Sequence, residues 1–133
     1  MAGRNEATLG FAPEMRLRRT ADYRRVQRGG HRYHRELLVT VYASNGLQHP
    51  RFGLTVSRKV GNAVVRNRVK RRLREAVRHH AAARDGSLDG VDVVFIARSQ
   101  AALADYSALT ACVHEALDVV VDRYRSSTGS PGV

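Results

Sequence analysis

The sequence predicts an α+β domain: one small mixed sheet with helices packed on it, in the order α-β-β-α-β-α, with room for one further short strand. Three observations predict it. Segments 36–43 and 51–57 alternate their side chains with a period of two, and 91–98 is an apolar run of strand length. Segments 20–30, 63–78 and 105–125 space apolar residues at intervals of three and four, as helices do. The 133 residues, 43% of them hydrophobic, suffice for one core. A single domain is therefore expected over 11–125, with a flexible extension at 1–10 and a disordered tail at 126–133.

In chain order, "TADYRRVQRGG" reads as a short helix with Thr20 as its N-cap, Asp22 at the positive end of the dipole, and Gly29 or Gly30 at a left-handed C-terminal position. Tyr23 and Val26 share its apolar side. "ELLVTVYA" sets Leu37, Val39 and Val41 against Leu38, Thr40 and Tyr42, a strand with two different faces. "SNGLQHP" turns the chain, and "RFGLTVS" sends Phe52, Leu54 and Val56 inward, so the two strands are expected to form an antiparallel pair. Asn62 caps a helix from Ala63, in which Val65, Val69, Leu73, Ala76 and Val77 form one stripe. "DGSLDG" is a loop, "VDVVFIAR" the third strand, and Leu109, Val113, Ala116, Leu117, Val120 and Tyr124 mark the last helix.

The formal net charge is +11, and self-repulsion of that size calls for segregation or a polyanionic partner. The charge is segregated. Residues 16–35 carry eight basic groups against Asp22, and 51–78 carry ten against Glu75, whereas seven acids lie beyond residue 79. All but Lys59 and Lys70 of the 23 basic residues are arginine, which suits bidentate phosphate contacts. No run reaches the length of a membrane span or signal-peptide core, and a lone Cys112 forms no internal disulfide, so a soluble cytoplasmic protein without a membrane role is expected.

On the helix from Ala63, Arg66, Lys70, Arg74 and Arg78 form one ridge and Arg68 and Arg72 another. Arg66 and Arg68 point about 200° apart on a regular helix, so they touch separate strands of nucleic acid, or one of them holds the neighbouring loop. Ser57, Arg58, Lys59 and the amides near Gly61 form an anion site at the helix N-terminus, without the pattern of a nucleotide-hydrolysing loop. Tyr23, flanked by arginines, either stacks on an unpaired base or packs between helix and sheet. Asp85, Asp89 and Asp92 lack calcium-loop spacing and read as turn formers and surface charge, and most of the six histidines read as exposed. Cys112 reads as core packing. No catalytic or metal-holding set is expected.

The stretch "FGLTVSRKVGNAVVRNRVKRRLRE", centred on Arg66-Asn67-Arg68, resembles the bacterial ribonuclease P protein component. The likeness extends to "FAPEMRLRRTADYRRVQRGG" and "VDVVFIARSQAAL", and spans roughly 11–124. It implies a left-handed crossover between parallel strands through the basic helix, against the usual hand. It also implies a function: with a catalytic RNA, removal of the 5′ leader from precursor tRNA. Arg66, Asn67, Arg68, Lys70, Arg71 and Arg74 fall on the helix that lies against the RNA subunit. Tyr23, Thr40, Arg58 and Lys59 fall at leader-binding positions, with Gln27 and Thr40 standing where the family has aromatics. Magnesium ions held mainly by RNA and substrate would activate the water, and no obligatory protein partner is implied. A ribosomal or RNA-chaperone module is the alternative, and a helix-turn-helix DNA regulator a third reading.

Overall fold

The computed structural model describes residues 12–129, so the expectations for 1–10 and for the end of the tail lie outside the described residues. Three helices, α1 (Thr20–Gly29), α2 (Ala63–Arg78) and α3 (Tyr106–Gly129), and four strands, β1 (His31–His34), β2 (Leu38–Ser44), β3 (Arg51–Thr55) and β4 (Val91–Ala97), alternate with three short 3-10 turns. The further short strand is β1. α3 continues past Arg125 to Gly129, beyond the predicted helix end.

The four strands form one sheet in the order β1-β2-β4-β3, with β1/β2 and β2/β4 antiparallel and β3/β4 parallel. β2 and β3 are therefore not a hairpin pair, because β4 lies between them. Alternation identifies which face a side chain takes but not which strand is its neighbour. The signal for the true order lies in β4, whose residues are all buried except half-buried Ile96. A strand dry on both faces belongs in the middle of a sheet. Joining β4 to its parallel neighbour β3 requires a crossover, and α2 supplies it.

Each face of the sheet has its own cover. Tyr42, Val93 and Phe52 lie in one row of the register, and with Leu38, Phe95 and Val91 they pack against Val69, Leu73 and Val77 of α2 and Leu109, Val113 and Leu117 of α3. On the opposite face, Val41 and Val94 pack with Leu17 and with Val26 of α1, and Tyr23, Val39 and Ile96 border them. That second cluster is small, so apolar burial alone holds α1 loosely.

The helix ends differ in part from expectation. Arg19, not Thr20, is the residue before α1, and no side chain caps the helix. At the other end Gly30 has an extended backbone (φ −82°), so left-handed freedom is not why glycine stands there. A Cβ at Gly30 would lie 2.4 Å from the Val26 carbonyl oxygen and 2.7 Å from that of Tyr42; the position is a close crossing of helix and strand. Asn62 caps α2 as predicted, its Oδ1 accepting from the Val65 amide at 3.0 Å, and Asp105 does the same for α3 through the Ala108 amide at 2.8 Å.

Candidate nucleic-acid interface

α2 forms because its apolar stripe has somewhere to go. Val69, Leu73, Ala76 and Val77 are buried and Val65 half-buried, which turns the basic residues to the remaining circumference. Like charges at i, i+4 oppose the helix by about 0.2–0.5 kcal/mol per pair, less than one buried leucine contributes at about 1.5–3 kcal/mol.

Neighbouring basic residues on α2 serve different purposes. Arg66 donates from Nε to the Gly61 carbonyl at 3.1 Å, fastening the loop that enters the helix. Arg68 and Arg72 reach the carbonyls of Ala102 and Ala104, each at 3.4 Å, and so hold the 3-10 turn Ser99–Ala102 beside α2. One arginine of the triplet thus grips a loop before the helix and the other a loop after β4. Lys70, Arg71 and Arg74 form no side-chain hydrogen bond or ion pair with a described residue, and Asn67, Arg71 and Arg74 are exposed. Glu75, the only acid of the helix, is occupied by Arg78 at 2.7 Å. Arg58 and Lys59 stand exposed just ahead of α2.

Tyr23 sits where α1 crosses the edge strand β3. Its ring lies against Gly53, where a Cβ would come within 2.7 Å of the hydroxyl oxygen and 2.8 Å of the ring, so glycine is needed for the approach. The Leu54 amide donates to the Tyr23 hydroxyl at 3.1 Å, and the Leu17 amide donates to the Phe52 carbonyl at 2.9 Å. Together these contacts occupy the open edge of β3, which would otherwise offer unpaired backbone groups to other chains. Burial raises the Tyr23 phenol above its ordinary value, against the lowering effects of the Leu54 amide and Arg74. The helix–sheet contact predicted for Tyr23 is present, while its half-exposed ring still borders the surface. One turn on, Gln27 Nε2 donates to Thr55 Oγ1 at 3.3 Å, continuing the contact of α1 with β3.

Thr40 does not join this group. It is 1% exposed and shares the β2 face of Leu38 and Tyr42, which looks into the α2–α3 core on the far side of the sheet from α1. Its assignment as a leader contact is corrected: strand parity places Val41, not Thr40, on the α1 face.

Asp92 is also corrected, from a surface turn residue to a fully buried anchor. Arg51 grips it bidentately, Nε to Oδ1 and Nη2 to Oδ2, both at 2.8 Å; Asn45 Nδ2 donates to Oδ1 at 2.9 Å, and Arg25 of α1 donates to Oδ2. The Asp92 hydrogen bond is the main reason the Arg51 guanidinium is held above its ordinary value. Arg25 and Arg51, counted among the basic blocks, are thereby occupied inside the fold. A sequence signal existed, since an acid inside an otherwise apolar central strand must be paired. The histidines divide evenly. His31, His34 and His79 are exposed, whereas His49 is half-buried, His80 Nε2 meets Asp118 at 2.8 Å and His114 Nε2 meets the Ala76 carbonyl at 2.8 Å, tying α3 to the end of α2. Among the described residues, no group of three His, Cys, Asp or Glu side chains could hold a metal.

Between the segment leading into α1 and the outer side of α2 lies a recess of about 300 Å³ at the β3 edge. Arg16 and Arg18 line it together with Tyr23, Leu54, Lys70 and Arg74. Sequence reasoning assigned no role to Arg16 or Arg18. The available signal was buried Leu17 between them, which in extended backbone turns both arginines outward on one side.

The chain resembles proteins already known. The family model described as Ribonuclease P matches residues 11–121. The ribonuclease P protein component of Caldanaerobacter subterraneus subsp. tengcongensis is 39% identical over 102 residues, covering 77% of this chain and 85% of that one. That of Dehalococcoides mccartyi is 46% identical over 87 residues, 65% of this chain and 68% of its own. Among solved structures, a Staphylococcus aureus RNase P protein mutant with defective mRNA degradation activity superposes with a TM-score of 0.72 at 29% identity, over 80% of this chain and 88% of that one. The RNase P protein from Thermotoga maritima does so with a TM-score of 0.63 at 30% identity, over 81% and 96%. Match length, sequence identity and shared fold agree: the chain belongs to the ribonuclease P protein family.

Proposed function

We propose that this protein binds the catalytic RNA of ribonuclease P through the outer face of α2 and holds the 5′ leader of precursor tRNA beside α1, assisting endonucleolytic removal of the leader. One observation supports this above the others: on a helix packed by its apolar stripe, Lys70, Arg71 and Arg74 stay uncommitted while Glu75 is already paired. Cations without internal partners on a rigid element suit a phosphate backbone. Arg66 and Arg68, each bonded to a loop carbonyl, set the shape of that face, and Asn67 stands exposed between them. In this reading Arg58 and Lys59, exposed just ahead of α2, add to the positive surface and contact the leader.

The α2 face offers cations rather than carboxylates, so its donor set does not fit magnesium; in this reading the ions belong to RNA and substrate phosphates. The protein's part is positional: its charges relieve phosphate repulsion where RNA subunit and substrate approach, and its rigid sheet sets the distance between α1 and α2. A helix-turn-helix reading is disfavoured because β3 and a loop, not a helix, precede α2. A role in processing precursor tRNA places the protein in the cytoplasm with its substrate. No helix among the described residues is long and apolar enough to cross a membrane.

Reconstitution with the RNA subunit at low magnesium tests the reading. Precursor-tRNA cleavage should increase when the protein is added; no increase with properly folded protein would favour the ribosomal or chaperone alternative.

A further inference from the structure

At the opposite edge of the sheet from Tyr23, the C-terminal part of α3 overhangs β1 and β2 and leaves a second cavity, also of about 300 Å³. β1 and β3 are the two outer strands, three strand spacings or about 14 Å apart, and the cavity shares no lining residue with the β3 recess. Its walls are mostly rings. His31 of β1 and Tyr42 of β2 face each other in the strand register, with ring centroids 5.2 Å apart and planes inclined by 33°. Tyr124 of α3 supplies a third ring, steadied by the close approach of its hydroxyl to Gly90, where a Cβ would lie 3.1 Å away.

The polar lining narrows the ligand. No acid lines the cavity, and Arg123, at its rim, has no carboxylate partner among the described residues. The Arg123 guanidinium instead lies 5.2 Å from the centroid of the Tyr33 ring, so it already rests flat-on against an aromatic surface and adds a positive charge there. The Ser44 hydroxyl and the exposed His31 ring can each donate or accept at the edge of a planar ligand. Gly29 closes the lining without a side chain, and a Cβ there would meet nothing within 4 Å, so the mouth is open. Rings for a flat heterocycle, adaptable groups for its edge and one free cation for a phosphate are the elements of a nucleotide site, and the volume is at the small end of ligand pockets.

We propose that this cavity holds a single unstacked nucleobase with its phosphate, the base lying on His31 beside Tyr124 and the phosphate meeting Arg123. The nucleotide is either part of an RNA strand passing the β1 edge or free in solution. The inference goes beyond the RNA-subunit reading and rests on it only where RNA is the probe.

The first arm titrates the full chain alone, by calorimetry, with adenosine 5′-monophosphate and with ribose 5-phosphate, which has the same phosphate but no base. The nucleotide should bind at least about fivefold more tightly, the lower end of what stacking on one aromatic supplies. His31→Ala should abolish that advantage and His31→Phe, which keeps a ring, should restore it. His34→Ala, an exposed change three residues along β1 and so on the other face of the strand, should leave it intact. Circular dichroism confirms that each variant is folded. In nuclear magnetic resonance spectra the nucleotide should shift the amides of His31, Ala43 and Tyr124 more than those of Leu54 and Lys70 at the β3 recess. Equal binding of the two probes, an advantage that survives His31→Ala, or shifts confined to the β3 recess overturns the proposal. The second arm measures assembly of the holoenzyme with the RNA subunit and its affinity for precursor tRNA. A loss in either with His31→Ala that His31→Phe restores identifies a base within an RNA strand; no loss in either, with the nucleotide bound in the first arm, identifies the free nucleotide. Failure of the parent protein to reconstitute would count against the RNA-subunit reading, while the first arm would still decide for or against the cavity.

Discussion

Replacing Asp92 by Asn tests whether an ion-pair network, more than apolar packing, seats α1 on the sheet. The substitution keeps the volume but exchanges a carboxylate oxygen for an amide nitrogen that cannot accept, which in either orientation faces Arg51, and with it Asn45 or Arg25, with a donor. Breaking a buried pair costs about 3–5 kcal/mol. The Arg51 side chain is 20% exposed and that of Arg25 42%, so water recovers part of the loss and the lower end, about 3 kcal/mol, is expected. Against a total of about 5–15 kcal/mol, this should lower the melting temperature by roughly 10–15 °C for a domain of this size. Arg25→Ala removes only the more exposed partner, leaves Arg51 to neutralise Asp92, and should cost about 1 kcal/mol. Urea unfolding followed by circular dichroism measures both. If Asp92→Asn lies within about 1 kcal/mol of the parent, or costs no more than Arg25→Ala, Asp92 is not the anchor described.

Gly53→Ala should destabilise by about 1–3 kcal/mol, because its methyl would enter the Tyr23 ring, and it should weaken binding of leader-bearing precursor more than of mature tRNA in filter-binding assays. Arg71→Ala should leave stability within about 0.5 kcal/mol and reduce the salt dependence of RNA binding by about one phosphate contact, whereas Arg68→Ala should lower both RNA affinity and the urea midpoint, since it also releases the Ala102 carbonyl. Burial, followed by the negative charge of Glu115, raises the Cys112 thiol above its ordinary value; the thiol form therefore persists to higher pH, and iodoacetamide should alkylate the native protein more slowly than the urea-unfolded chain at pH 8.

Local features were the most legible in the sequence. The α2 stripe from Val65 to Val77 and the Asn62 cap follow from spacing and side-chain chemistry acting within a few residues. The order of the strands was less accessible, because β2 and β3 alternate correctly whether or not β4 intervenes; only the two-sided burial of β4 distinguishes the cases. Thr40 was misplaced for a related reason. A shift of one residue along β2 exchanges the α1 face for the α2–α3 core, and a resemblance between sequences does not set parity that finely. Asp92 was hidden by its neighbours in sequence, the aspartates of the preceding loop, while its partners Arg25, Asn45 and Arg51 lie far along the chain. The recess was equally remote, assembled from residues 16–18 and 70–74 across one strand edge.

The same arginine-rich composition serves two ends, and the structure separates them by partner. Arg25 and Arg51 lock α1 through Asp92, Arg66, Arg68 and Arg72 tie loops to α2, and Arg78 occupies the helix's one acid. Each of these reduces the charge that repels its neighbours or gives it a fixed address. Lys70, Arg71 and Arg74 are then presented on a helix that cannot easily rotate or slide, since Val69, Leu73 and Val77 fix its stripe in the core and the tethered loops fix its ends. A flexible basic tail of equal charge would attract RNA as strongly at long range, but it would lose side-chain and backbone entropy on binding. By ordering the cations during folding, the fold gives up that entropy before the polyanion arrives and turns a nonspecific attraction into a surface with a defined shape.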